Sequence, residues 1–160
     1  MEWADVDNAK IHYSEVKHMT TADKIRKYCS YQDRSEQEVR RKMSQLLVPH
    51  AEADELMTEL LEEKFVDDNR FAENFIRGKV NIKRWGRVKI KVELLRRGIS
   101  IAIVQEKMAE IDEQQYAENL HYLIQKWRSE NPQAVSDKLF CFLMQKGYEP
   151  GEISSAIHKN

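Results

Sequence analysis

A five-residue motif occurs twice in this chain, and its spacing limits the fold more than any other feature. Phe71-Ala72-Glu73-Asn74-Phe75 returns as Tyr116-Ala117-Glu118-Asn119-Leu120, 45 residues later. Further on, Leu95-Arg96-Arg97-Gly98-Ile99 corresponds to Met144-Gln145-Lys146-Gly147-Tyr148 at a shift near 49, which places a small insertion in the later copy around Ser129 to Asn131. A period of this size denotes stacked helical units, none of which can bury its apolar face alone. A more diverged first copy, matching mainly in helix order and length, occupies about 20–66.

The local signals agree with helix throughout. Five Gly and three Pro in 160 residues are too few to punctuate a β-sandwich or barrel. Ser35-Glu36-Gln37-Glu38 fits a capping box, Asp112 and Gln115 form a weaker one, and Asn131-Pro132 reads as an N-cap followed by a first-turn proline. Gly98 and Gly147 follow runs ending in Arg or Lys, the usual composition of a helix C-terminus. These anchors predict helices near 20–31, 35–46, 52–64, 68–83, 86–97, 100–111, 113–129, 132–146 and 151–158. Ile99-Ser100-Ile101-Ala102-Ile103-Val104 alternates like a strand, but Val104, Met108 and Ile111 continue a helical stripe, so helix is expected there too. The expected core includes Val39, Met43 and Leu46; Leu56, Leu60 and Leu61; Phe71, Phe75 and Ile76; Val88, Val92 and Leu95; Leu120, Leu123 and Trp127; and Val135, Leu139 and Leu143. The domain expectation is an arm over 1–19, poorly ordered, then three-helix repeats over 20–66, 67–111 and 112–160. The fold class is all-α, with tandem three-helix repeats in an elongated array.

Charge is spread unevenly. Nine of the 26 basic residues lie between Arg77 and Arg97, namely Arg77, Lys79, Lys83, Arg84, Arg87, Lys89, Lys91, Arg96 and Arg97, with Glu93 as the sole acid among them. Solvated helix faces usually mix both signs. A run this unbalanced points to a polyanion or an acidic protein partner. Trp85, within that run, suits either packing or stacking on a base. Glu52, Asp54, Glu55, Glu59, Glu62, Glu63, Asp67 and Asp68 form an acidic counterpart, expected to be a solvated face.

Two stretches carry a resemblance to a known family. Tyr28-Cys29-Ser30, Arg34-Ser35, Glu38-Val39-Arg40-Arg41-Lys42 form the first. Val66-Asp67-Asp68-Asn69-Arg70-Phe71-Ala72-Glu73 is the second, continuing through Trp85-Gly86, Lys89-Ile90 and Glu93-Leu94 to Arg97-Gly98-Ile99. In order and spacing they resemble the RecX family of regulators of the RecA recombinase. That resemblance implies a curved array of three-helix units. It also implies binding to RecA or its DNA filament, and restraint of recombinase, ATPase and coprotease activity in recombination, DNA repair and the SOS response. The alternative from the residues alone is a helical-repeat protein whose basic block binds nucleic acid directly.

Catalytic chemistry is not suggested by any motif. The histidines are dispersed, there is no nucleophile elbow or phosphate-binding loop, and no cofactor or metal site is expected. A metal-dependent nuclease built on the acidic run remains a distant third reading. Cys29 and Cys141 lack Cys-x-x-Cys spacing and are expected to be buried, reduced thiols. With no basic n-region in Met1 to Asp7 and no apolar run of membrane length, a cytoplasmic, monomeric protein is expected.

Overall fold

The computed structural model describes residues 19–158, and the arm expected over 1–19 lies, apart from Met19, outside them. Among the described residues there are nine helices and no strand. They are α1 (Thr21–Tyr31), α2 (Glu36–Gln45), α3 (His50–Glu62), α4 (Asp68–Asn81), α5 (Arg87–Arg96), α6 (Ile101–Ala109), α7 (Glu113–Glu130), α8 (Ser136–Lys146) and α9 (Pro150–His158). The chain divides between Asp67 and Asp68 into two compact units.

In the first unit, α2 packs on both α1 and α3. Thr20 and Ser35 each close a capping box, with Asp23 and Glu38 returning the bond, so both helices begin where a side chain satisfies the first-turn amides. Ile25, Cys29, Val39, Met43, Leu56, Met57, Leu60 and Val66 fill this core. The acids of α3 and of its C-cap are partly paired within the unit: Arg26 holds Glu59 at 2.9 Å and Glu63 at 3.2 Å, and Arg40 holds Asp54 at 2.8 Å.

In the second unit, α4, α5 and α6 form one triplet and α7, α8 and α9 another, joined where α4 meets α7. A single core runs through both, from Phe71, Ile76 and Val80 through Ile90, Leu94 and Ile99 to Leu120, Ile124, Leu139, Leu143 and Ile153. The inserted residues of the later copy lengthen a helix: α7 has 18 residues where α4 has 14. Asn119, from the repeated motif, is buried and donates its side-chain amide to the Val80 carbonyl at 3.0 Å.

The repeat is legible in three dimensions. Buried Val39 and Met43 of α2, Ile90 and Leu94 of α5, and Leu139 and Leu143 of α8 hold equivalent places. Each helix ends at a left-handed residue, Leu47 (φ 56°), Gly98 (φ 78°) and Gly147 (φ 95°).

Several expectations are corrected. Val88, Val92 and Leu95 are 45, 49 and 40% exposed, because α5 buries Ile90 and Leu94 instead. Leu61 also lies at the surface. Asn131 does not start a helix. It ends α7, donating its side-chain amide to the Trp127 carbonyl at 2.9 Å, and α8 begins after an exposed Val135. Cys29 is buried as expected, but Cys141 is exposed.

Candidate functional site

All nine cations of the basic run lie in the second unit, and the fold sorts them by what they touch. Arg87, at the start of α5, reaches Glu113 of α7 at 2.6 Å and Glu152 of α9 at 3.5 Å, with its guanidinium 4.0 Å over the Tyr116 ring. Burial opposes its charge, but the Glu113 bond and the surrounding negative potential outweigh it and raise its pKa. Arg97 holds Glu93 at 2.5 Å and lies over Phe75, and this pairing pulls the Glu93 carboxyl below its ordinary range. Arg96 also reaches Glu93, at 3.2 Å, but is largely exposed. These arginines have acids within the fold.

The remaining cations gather around aromatic rings or face solvent. Lys79 and Lys89 sit over Trp85 at 4.8 and 4.5 Å, with Phe75 edge-on to the indole at 6.5 Å. Trp85 is therefore built into a half-buried cation–aromatic cluster. Lys89 also donates to the Gln145 carbonyl at 3.2 Å. Arg84, held in a left-handed conformation (φ 50°), places its guanidinium 4.0 Å over Tyr122, while its carbonyl accepts from the Tyr148 hydroxyl at 3.2 Å. Lys83 and Lys91 are exposed, and exposed Arg77 is 4.0 Å from Glu73 and bonded to Asn74.

The run is thus divided among α4, the loop that follows it and α5, and the structure adds cations that the sequence reading missed. Lys146 of α8 is within electrostatic reach of Lys83, Lys89 and Lys126 of α7. Burial first, and then the charges of Lys89, Lys126 and Lys83, lower the Lys146 pKa. No local pattern could have found them, because they come from helices far along the chain.

A second surface lies on the outer side of α5. Val88, Lys91, Val92 and Leu95, with Val104 and Met108 of α6, line an open groove of about 680 Å³. The corresponding residues are Gln37, Arg41 and Ser44 in α2, and Asp137, Cys141 and Met144 in α8. The fold does not require aliphatic side chains there, since only the middle triplet carries three. Among the described residues no group of three or more His, Cys, Asp or Glu side chains is placed to hold a metal ion. No described helix is long and apolar enough to cross a membrane.

Residues 67–108 match the family described as RecX, second three-helix domain. The chain is 28% identical to Regulatory protein RecX of Bacillus cytotoxicus over 163 residues, covering 99% of this chain and 60% of that protein. It is 37% identical to the protein of the same name from Clostridium tetani over 106 residues, covering 62% and 48%. The chain thus spans about half to three-fifths of these curated relatives. The crystal structure of RecX from Lactobacillus salivarius shares the fold with a TM-score of 0.78 at 22% identity, over 86% of this chain and 92% of that one. A second crystal structure of regulatory protein RecX gives 0.78 at 17%, over 99% and 80%.

Proposed function

We propose that this chain, which is similar to the RecX regulatory proteins, binds RecA on its DNA filament and restrains RecA activity without chemistry of its own. The family resemblance supplies the partner. The observation that carries the reading to a surface is the exposed aliphatic stripe Val88, Val92 and Leu95, present in the middle triplet and replaced by polar or mixed residues in the other two. Apolar side chains one helical turn apart on an open groove are suited to receiving apolar side chains of a partner. Lys91 lies within the groove and Arg96 near its end, and they add electrostatic steering toward an acidic surface. Of the nine cations, Arg77, Lys83, Lys91 and Arg96 are the exposed ones, and of these Lys91 and Arg96, at the groove, are the members of the basic run proposed to face RecA.

The test is RecA ATPase on single-stranded DNA, titrated with the parent chain and with the double variant Val88→Asp, Val92→Asp. The parent should inhibit, and the variant should need at least tenfold more protein at an unchanged unfolding midpoint. An inert parent overturns the RecA reading. A fully inhibitory variant overturns the assignment of the stripe.

A further inference from the structure

The seam between the α4–α6 and α7–α9 triplets concentrates positive charge beside an exposed ring. Gly86 donates its amide to the Lys146 carbonyl at 2.8 Å, and Val88 donates to the Gly147 carbonyl at 3.1 Å, so the start of α5 and the end of α8 are in backbone contact. Lys146 ends α8 at that contact, Lys89 of α5 packs against Gly147, and Lys83, just past α4, and Lys126 on α7 lie within electrostatic reach of Lys146. Among the described residues, the one ion pair made by any of the four is Lys126 with Glu130, at 3.8 Å. Their mutual repulsion is felt at Lys146, where burial and then the three neighbouring charges depress the ammonium pKa. Like charges brought together by folding, with so little compensation, raise the energy of the empty surface and favour a bound polyanion.

Tyr122 lies one helical turn before Lys126 on α7 and is 45% exposed. The Arg84 guanidinium carbon lies 4.0 Å from its ring centroid. An exposed phenol beside a guanidinium offers planar groups on which an unpaired base can stack, and lysines nearby can reach adjacent phosphates. An acidic protein surface would use the lysines and leave this aromatic pair idle.

We propose that this seam is a binding site for single-stranded nucleic acid, with Lys83, Lys89, Lys126 and Lys146 on the phosphates and the Tyr122–Arg84 pair stacking a base. The site is separate from the aliphatic groove and does not depend on the RecA reading. Its use is sequence-tolerant, because backbone charge and ring faces carry little base information.

The experiment is fluorescence anisotropy of a labelled oligothymidylate with the whole chain, without RecA, across a salt series. The parent should bind, with affinity falling steeply as salt rises. Lys126→Glu with Lys146→Glu should weaken binding at least tenfold and flatten the salt dependence. Tyr122→Ala should weaken it severalfold and leave the salt slope unchanged. Lys126→Glu alone, at an exposed position, guards against misfolding and should still weaken binding measurably. Val92→Ala with Leu95→Ala, which truncates the groove without changing its charge, should bind oligothymidylate like the parent, which separates this site from the RecA surface. Unchanged binding by both Lys126 variants, no binding by the parent, or equal binding of polyglutamate would each overturn the proposal, the last by marking an acidic-protein surface.

Discussion

Gly86 and Gly147 touch backbone to backbone: a Cβ built on Gly86 would stand 2.1 Å from the Gly147 carbonyl carbon, and one built on Gly147 would meet Gly86 O at 3.0 Å. The two triplets of the second unit are joined at this point with no room for a side chain on either partner. Gly86 has an ordinary φ of −77°, so its requirement is purely steric, whereas Gly147 also occupies the left-handed region.

Replacing Gly86 with Ala therefore forces the α5 start and the α8 end apart. We expect a loss of about 3 kcal/mol or more in urea unfolding, within the range for overpacking against unyielding structure. Gly78, inside α4, is the control. An added Cβ there meets nothing within 4 Å, so Gly78→Ala should stabilise by about 0.5–1 kcal/mol through helix propensity.

Neighbouring leucines on α5 should behave oppositely. Leu94 is fully buried, and Leu94→Ala should cost about 2–5 kcal/mol. Leu95→Ala should cost under about 1 kcal/mol, since much of its side chain already meets water. Equal losses in the two variants would contradict the register of α5.

Leu47 holds the left-handed position that Gly98 and Gly147 hold in the other triplets, and its side chain is exposed. A non-glycine residue there carries about 1 kcal/mol of strain. Leu47→Gly should remove most of it, leaving chemical stability equal to or above the parent although a large side chain is lost.

Alkali should reveal Tyr116. Burial, ahead of all other influences, raises its pKa from 10.0 to about 12, and the more buried Tyr148 is raised as well. The folded state thus prefers the neutral phenol. That preference is fully present below pH 10 and is lost as pH rises through about 12. Tyrosinate absorbance should show late-ionising tyrosines in the native protein, and unfolding should become easier in this window. Tyr116→Phe should lessen the pH dependence.

Helix order, the repeat and most helix starts were legible because they depend on neighbours in sequence: Ser35 with Glu38, Asp112 with Gln115, and the glycines after basic turns. The register of α5 was not. Val88, Val92 and Leu95 have the same helical spacing as a core stripe, and only the tertiary partners of Ile90 and Leu94 decide which side is buried. The basic run was visible as composition, but its meaning was not, since Arg87 is balanced by Glu113 and Glu152 from other helices. Lys126, Lys146 and Tyr122 join the candidate nucleic-acid site through chain reversal alone.

The shared core and the glycine contact also determine how this protein can be cut. Severing the chain near Ile111, between the two triplets, would strip the Asn119 amide from the Val80 carbonyl and uncover the faces that meet at Gly86 and Gly147. Neither piece would keep the surroundings that specify its shape. The serviceable boundary for fragments, swaps or domain fusions lies between Asp67 and Asp68. For engineering purposes, residues from 68 onward form one indivisible cassette of two triplets.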